Sequence, residues 1–142
     1  MSQQSPTQKA GALLRRLGYL VTITERWNAF AKIRQDAWGF VDLIAIKERC
    51  KPLYLQVTSW GNTTDRYNKI VTGGDDKLKE TRLAAAKILC SSSSAQVEIW
   101  GFKPGRTGRT KNNLKRVRVT YDDSDGFSRY EKECHSSDLT QQ

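Results

Sequence analysis

Three polar side chains interrupt the most apolar part of the sequence, on two segments that alternate like neighbouring strands. Asp42 lies in the run 39–47, GFVDLIAIK, and Gln56 and Thr58 lie in the run 53–59, LYLQVTS. A buried carboxylate is costly unless it is paired, hydrogen-bonded or bound to a metal ion. Because side chains alternate along a strand, Gln56 and Thr58 share one face. If Asp42 lies on that face, its carboxylate, the amide and the hydroxyl converge.

Two interpretations of this trio follow from the residue types. A carboxylate, an amide oxygen and a hydroxyl are oxygen ligands of the kind that Mg²⁺ or Mn²⁺ prefers. A divalent ion beside a phosphodiester can generate a hydroxide and stabilise the leaving oxygen. The alternative is a buried hydrogen-bond network of the same three side chains without a metal ion.

The segments around the trio predict a single domain of the α/β or α+β class. Ser5 and Pro6 have the types found at a helix start, and the apolar residues that follow them lie on one helical face. Strands are predicted at 19–25, 39–47, 53–59, 95–102 and 114–121, and a second helix at 75–90. The order α-β-β-β-α-β-β predicts a mixed sheet flanked by helices. We expect one domain over residues 1–121 and a polar, acidic, flexible tail over residues 122–142.

The charge of the chain favours a polyanionic partner. Lys and Arg number 24 against 15 Asp and Glu, which gives a net charge of +9. Seven basic residues and no acidic ones lie from Lys103 to Arg118, and the glycines of this segment suit a loop that follows a phosphate backbone. Nucleic acid is therefore the first expectation, with contacts from Arg106, Arg109 and Lys111. A solvated surface loop is the alternative for this segment.

The remaining composition predicts a cytoplasmic protein. Three cysteines at wide spacings, Cys50, Cys90 and Cys134, indicate reduced thiols rather than disulfides or metal ligands. No apolar run approaches the roughly 20 residues of a membrane helix, so we expect no membrane partner. The first residues, MSQQSPTQKAG, lack the apolar region of a secretory signal.

The pattern GFVDLIAI, then a turn, then LYLQVTS resembles the core of the PD-(D/E)xK superfamily, the restriction-endonuclease-like nucleases. Over residues 5–103 the chain is similar to small phage-encoded proteins of this superfamily, akin to Holliday-junction-resolvase-like nucleases. The resemblance implies a restriction-endonuclease-like core and a phage or bacterial origin. It also implies an endonuclease that uses Mg²⁺ or Mn²⁺ to cleave DNA, in particular branched or structured DNA. A junction substrate would further imply a homodimer.

The resemblance also assigns roles to the trio. Asp42 falls on the metal ligand of the first motif, and Gln56 and Thr58 fall on the first and last positions of the second. The last position normally carries a lysine that activates water or stabilises charge. Thr58 cannot carry a positive charge, and Gln56 is neutral. A relocated cation is therefore expected from Lys69, with Lys47 and Arg66 as alternatives (Lys69 lies in a segment that could fold back over the site).

Further site residues follow from the longer pattern, WNAFAKIRQDAWGFVDLIAI and TSWGNTTDRYNKI. Asp36 is expected as an additional metal ligand, with Glu25 as the other candidate carboxylate. Arg34, Arg66 and Trp60 are expected to contact DNA. Trp60 would do so by stacking on a base, and core packing is its alternative role. The alternative function for the whole chain is a nucleic-acid-binding domain that has kept the nuclease fold and lost the chemistry.

Overall fold

The computed structural model describes residues 4–30, 33–104 and 111–139. The helices are Pro6–Arg16 (α1), Thr63–Thr72 (α2) and Lys79–Ser91 (α3). The strands are Leu20–Ile23 (β1), Arg26–Asn28 (β2), Ile33–Gln35 (β3), Leu43–Ile46 (β4), Leu53–Ser59 (β5), Gln96–Phe102 (β6), Leu114–Asp122 (β7) and Gly126–Cys134 (β8). No helix within these ranges is both long enough and apolar enough to cross a membrane.

Six of the strands form one mixed sheet in the order β1-β4-β5-β6-β7-β8. Every neighbouring pair in it is antiparallel except β5 and β6, which are parallel. Two parallel neighbours need a crossover connection, and here α2 and α3 supply it. Strands β2 and β3 pair separately as a hairpin. The predicted mixed α/β class is confirmed.

Helices pack on both faces of the sheet, and each face has its own core. On one face α1 packs over a cluster that includes Leu43, Leu55 and Trp100. On the other face α2 and α3 pack over a cluster that includes Ile70 and Ile99. Successive side chains of β5 alternate between the two layers, so this strand contributes to both sides of the sheet.

Helix α1 begins as the sequence predicts. The hydroxyl of Ser5 accepts the N–H of Gln8 at 3.2 Å, and the Gln8 side chain accepts the N–H of Ser5 at 3.0 Å. Pro6 occupies the first helical turn, where its missing N–H costs nothing. This reciprocal capping satisfies backbone groups that the helix itself leaves unpaired.

The strand predicted at 39–47 is shorter than expected, because its first half forms a turn. Trp38 and Gly39 have positive φ angles of 53° and 81°, and Val41 makes only an isolated bridge with Ala37. The apolar residues of this half are buried by helix packing rather than by strand pairing, which an apolar pattern alone does not distinguish. Asp42 therefore lies directly before β4, at one end of the sheet, and not in the middle of a strand.

The segment for which we expected a polar, flexible tail instead carries β8. This strand pairs with β7 over nine residue pairs, from Leu114↔Cys134 to Asp122↔Gly126. The Asp122 carboxylate accepts the N–H groups of Ser124 and Asp125 and closes the turn between the strands. An edge strand can be polar on its exposed side because the backbone makes the pairing, so polarity misled the prediction.

Candidate functional site

The candidate site lies at one end of the sheet, where three neighbouring strands meet. Strands β1 and β5 end there and β4 begins there, because β4 is antiparallel to both. Glu25 follows β1 closely, Asp42 precedes β4, and Gln56 and Thr58 lie in the second half of β5. The topology therefore brings the three predicted polar residues and one candidate carboxylate to the same sheet end.

Asp42 is held by hydrogen bonds to the chain on both sides of it, to the residues that follow β1 and to β5. Its N–H donates to the Leu55 carbonyl at 2.8 Å, and its own carbonyl accepts the N–H groups of Thr24 at 2.8 Å and Glu25 at 3.1 Å. Its Oδ2 accepts the N–H of Val57 at 2.8 Å. The carboxylate is only 6% exposed, so one of its oxygens takes the place of a backbone carbonyl inside the sheet.

Burial is the main reason why the pKa of the Asp42 carboxyl is raised from 3.8 to about 7. The negative charges of Asp36 and Glu25 act in the same direction, whereas the Val57 N–H and the positive charge of Arg66 oppose it. Burial also raises the pKa of Asp36. The carboxylates of Asp36 and Glu25 thus disfavour the ionisation of Asp42, in addition to the effect of burial.

Gln56 and Thr58 are both buried, on the face that α2 and α3 cover. Leu55 and Val57 belong to the core under α1, so the alternating residues Gln56 and Thr58 face the other layer. The Gln56 side chain is 7% exposed, and its Oε1 has no hydrogen-bond partner among the described residues. Leaving a buried acceptor unsatisfied costs about 1–3 kcal/mol, so this oxygen needs an explanation.

The donor set fits a hard divalent cation. A cation beside Asp42 would stabilise the ionised carboxylate against its raised pKa, and it could also satisfy Gln56 Oε1. In the part of the chain that the structure describes, no group of three or more His, Cys, Asp or Glu side chains is arranged to hold a metal ion. Few protein ligands suit Mg²⁺ best, because this ion usually keeps several of its waters.

Helix α2 carries two of the three predicted cations, Arg66 and Lys69. Arg66 acts directly on the pKa of Asp42, and Lys69 acts on that of Asp36. Lys69 Nζ also lies 3.6 Å from Asp76. Lys47, the third candidate, follows the far end of β4, where its Nζ donates to the Leu17 carbonyl at 2.8 Å. Arg66 and Lys69 thus lie on a helix that covers the same sheet face as Gln56 and Thr58, whereas Lys47 lies beyond the opposite end of β4.

Arg82 on α3 is a residue that the sequence analysis missed. It is 2% exposed, and its Nε donates to the Gly39 carbonyl at 2.8 Å. The same guanidinium donates to the Gly73 carbonyl at 2.7 Å and to both oxygens of Asp76 at 2.9 and 3.0 Å. Arg82 thus ties the turn before Asp42 to the α2–α3 connection. The available signal was an arginine in the alanine- and leucine-rich helix TRLAAAKIL.

Trp60 follows β5 directly and faces the basic part of the chain. Its ring is half-buried and lies 4.5 Å from Lys103 Nζ and 4.9 Å from Lys115 Nζ. Both distances are within the range of a cation–π contact. Two lysines thus accompany the one aromatic ring that the sequence predicted to stack on a base.

The other predicted nucleic-acid contacts are only partly described. Lys111 is exposed. Arg34 has its backbone in β3, but its side chain lies outside the described part of the structure, as do Arg106 and Arg109 altogether. Arg66 lies on α2, and its positive charge lowers the pKa of Asp42.

Comparisons with protein-family models, with curated proteins and with solved structures found no match to this chain. Its function is therefore inferred from the arrangement of its own residues. The feature with the clearest chemical meaning is the sheet end that holds Asp42 and Gln56.

Proposed function

We propose that this protein is a metal-dependent endonuclease that cleaves phosphodiester bonds in DNA. The observation that carries the proposal is the combination of a buried carboxyl group of raised pKa and an unsatisfied buried amide oxygen at the same end of the sheet. Both groups are costly to keep without a ligand. A single divalent cation would relieve both costs, whereas a hydrogen-bond network would have satisfied the amide oxygen.

The topology is consistent with this proposal. The PD-(D/E)xK fold that the chain resembles has the order helix, three strands, helix, strand. The sheet and its helices have a similar order (α1, β1, β4, β5, α2–α3 and β6), with the β2–β3 hairpin inserted between β1 and β4. Asp42 stands at the start of the second of these strands, and Gln56 and Thr58 stand in the third. The resemblance assigns the first motif to Asp42 and the second motif to Gln56 and Thr58.

Asp42 and Gln56 would hold the ion, and Asp36 would add a third oxygen ligand, with Glu25 as its alternative. Bound there, Mg²⁺ or Mn²⁺ supplies an activated water and stabilises the leaving oxygen. Asp42 is already oriented, because Val57 fixes one of its carboxylate oxygens. A preoriented ligand loses less conformational entropy when the ion binds.

Arg66 is the best candidate for the cation that Thr58 cannot supply. Its positive charge lowers the pKa of Asp42, whereas Lys69 Nζ lies 3.6 Å from Asp76. A guanidinium can bind two phosphate oxygens at once, which would orient the phosphodiester beside the ion. Lys69 would then help to keep the region attractive to phosphate.

The substrate proposal is DNA, including branched or structured DNA. A net charge of +9 attracts a polyanion, and Trp60 with Lys103 and Lys115 offers an aromatic face among positive charges. A four-way junction has two equivalent strands to cut, so a junction substrate would require two copies of the chain.

The experiment is cleavage of labelled linear, flapped and four-way-junction DNA with Mg²⁺, Mn²⁺ or EDTA. We expect cutting that requires the metal ion and that Asp42→Ala abolishes. Asp123→Ala, in the exposed β7–β8 turn, removes the same charge away from the site and should cut normally. Undiminished cleavage by Asp42→Ala would contradict the assignment of the site.

A DNA-binding domain without catalysis is the second candidate, and Thr58 at the position of the expected lysine favours it. This candidate predicts DNA binding that weakens as salt rises, because binding releases counterions. It predicts no cutting with any metal ion. Binding of the same DNA substrates without cleavage would therefore select it, and cleavage gained by Thr58→Lys would identify the lost cation as the cause.

A further inference from the structure

A second candidate site lies on the other face of the sheet, beside α1. It is a cavity of about 610 Å³. Leu14 and Leu17 at the end of α1 form one wall, and the turn at residues 49–51 forms another. Its floor includes Trp100, which belongs to the core under α1, whereas Gln56 and Thr58 face α2 and α3. The sheet therefore separates this cavity from the Asp42 site.

The register of β6, β7 and β8 arranges the floor in two rows that run across the strands. The rows are formed by residues paired between neighbouring strands: Trp100, Arg116 and Lys132 in one, and Glu98, Arg118 and Tyr130 in the other. Each row thus runs from the buried strand β6 to the edge strand β8. The two rows place basic and aromatic side chains next to one another in the part of the sheet that α1 does not cover.

Glu98 is fully paired and serves the floor as a fixed structural group. It is 2% exposed, and its Oε1 accepts Trp100 Nε1 at 3.0 Å and Arg116 Nε at 2.9 Å. Its Oε2 accepts the second arm of the Arg116 guanidinium at 3.2 Å and the Gln96 amide. Burial opposes ionisation of Glu98, but Arg116 and these hydrogen bonds hold its pKa below the ordinary value. The pair fixes Arg116 beside the Trp100 ring, at 5.4 Å.

The remaining basic side chains around the cavity are not neutralised in this way. Five basic and two acidic side chains line it, and one of the acidic ones is the paired Glu98. Arg49, Lys51, Arg118 and Lys132 are exposed, and none of them forms an ion pair with another described residue. They come from the turn before β5, from β7 and from β8, so separate parts of the chain direct positive charge to one cavity. Such a site attracts an anion.

Aromatic rings accompany these charges. Tyr130 is 71% exposed, and it is the cross-strand neighbour of Arg118. Tyr19 lines the cavity as well and is half-buried. An exposed ring beside a guanidinium offers a stacking surface next to an anion site, which is a combination suited to a base that carries a phosphate.

We propose that this cavity binds a nucleotide, either free or as part of a nucleic-acid strand. Arg118, Lys132 and Lys51 would contact the phosphate group, and Tyr130 would stack on the base. The volume is within the roughly 300–1,000 Å³ of small-molecule sites. The proposal does not depend on cleavage at Asp42, because the two sites share neither residues nor a face of the sheet.

Calorimetric titration of the full chain tests the proposal with nucleoside 5′-monophosphates of all four bases, ribose 5-phosphate and inorganic phosphate. We expect at least one nucleotide to bind more tightly than ribose 5-phosphate. Arg118→Glu should lower the affinity for the nucleotide and for ribose 5-phosphate by about tenfold or more, because it removes charged hydrogen bonds to phosphate. Tyr130→Ala should lower only the affinity for the nucleotide, by about fivefold to a hundredfold, because ribose 5-phosphate has no base to stack.

Lys77→Glu is the matched control, since it makes the same charge change at an exposed position near the start of α3. We expect it to bind nucleotide like the unaltered protein. Absence of nucleotide binding would overturn the proposal. An equal loss of affinity in Lys77→Glu and Arg118→Glu would also overturn it, because binding would then depend only on net charge.

A short 5′-phosphorylated single strand distinguishes the two sources of the nucleotide. If the strand binds more tightly than the free nucleotide and loses affinity in both Arg118→Glu and Tyr130→Ala, the natural ligand is part of a strand. If the free nucleotide binds at least as tightly, with the same sensitivity to both variants, a free nucleotide is the ligand. A strand whose binding neither variant weakens would count against the cavity as its binding site.

Discussion

Asp42 meets two demands with one side chain, and substitutions can separate them. Its Oδ2 accepts the Val57 N–H within the sheet, and its charge would hold a cation. Asparagine retains an oxygen that can accept the Val57 N–H but has no charge, whereas alanine removes both properties. Asp42→Asn is therefore the variant that tests the chemical role without removing the structural one.

For Asp42→Asn we predict loss of stabilisation by metal ions. The unaltered protein should unfold at a higher temperature in Mg²⁺ or Mn²⁺ than in EDTA, because an ion that binds only the folded state stabilises it by about 2.7 kcal/mol at a hundred times its Kd. Asp42→Asn should show no such rise in melting temperature. Thermal unfolding with and without each ion measures this, with Asp123→Asn as the control that keeps the rise. An equal rise in Asp42→Asn would argue against a metal site here.

The polar trio was accessible from the sequence, but Arg82 was not recognisable as part of the site. Asp42 and Gln56 stand out because polar residues interrupt apolar runs, and strand alternation then limits where they can point. The partners of Arg82 include the carbonyls of Gly39 and Gly73, which are far apart in the sequence and carry no side-chain signal. A contact to backbone carbonyls becomes evident only when the fold is known.

At the scale of elements, the end of the sheet is assembled by pieces that the helix layer holds in place. The turn at residues 37–41 precedes β4 and has little strand pairing of its own. Arg82 fastens it to α3 and to the α2–α3 connection. The position of Asp42 therefore depends on a helix that contributes no side chain to the candidate metal site.

We predict that Arg82→Ala destabilises the protein by about 3 kcal/mol, because it leaves two carbonyls without their donor. Hydrogen bonding to Arg82 is the main reason why the pKa of Asp76 is lowered from 3.8 to about 2, so the variant should return this pKa towards its ordinary value. A lowered carboxyl pKa stabilises the fold above pH 3.8, and that stabilisation is lost as the pH falls towards 2. The stability difference between the two proteins should thus narrow on acidification.

Urea unfolding across this pH range and NMR titration of Asp76 measure both effects. Arg82→Lys keeps the charge but not the planar fork, so we expect an intermediate stability. Lys79→Ala, at an exposed position on the same helix, is the control and should change neither quantity. An unchanged pKa of Asp76 in Arg82→Ala would contradict the proposed link.

The sequence correctly predicted the helices and strands in which the spacing of apolar residues matches the face that is buried. Helix α1 and strands β5, β6 and β7 have clear periodicity and lie close to the expected ranges. The sequence indicated only a loop or a frayed helical turn where α2 forms, because TTDRYNKIVT presents few apolar residues and Ile70 is its main buried anchor. Tertiary packing, rather than local propensity, decides segments of this kind.

At the scale of the whole molecule, the sheet divides the positive charge between two faces. Lys103 and Lys115 surround Trp60 on the side of the candidate metal site, and Arg118 and Lys132 line the cavity beside α1. The sequence indicated one basic segment and one class of partner. It could not show the cavity, because its lining comes from segments spread over more than half the chain.

Lys111, in the basic segment, allows a test of the nucleic-acid partner on the intact molecule. We predict that Lys111→Ala weakens DNA binding to a similar extent for different sequences, because a lysine that contacts phosphate reads no base. The slope of log affinity against log salt concentration should decrease by about 1. Fluorescence anisotropy over a range of salt concentrations measures this, with Lys77→Ala as control. A slope equal to that of the unaltered protein would show that Lys111 does not contact the DNA phosphates.

The hydrogen bond from Val57 to Asp42 makes the backbone itself a sensor of the site. The Val57 amide proton lies between the strand and a carboxylate whose charge state depends on what it binds. Its NMR chemical shift should therefore move when an ion arrives, and its exchange with solvent deuterium should slow as the carboxylate becomes fixed. A single backbone amide at this end of the sheet would thus indicate occupancy directly, without a substrate and without any chemical label.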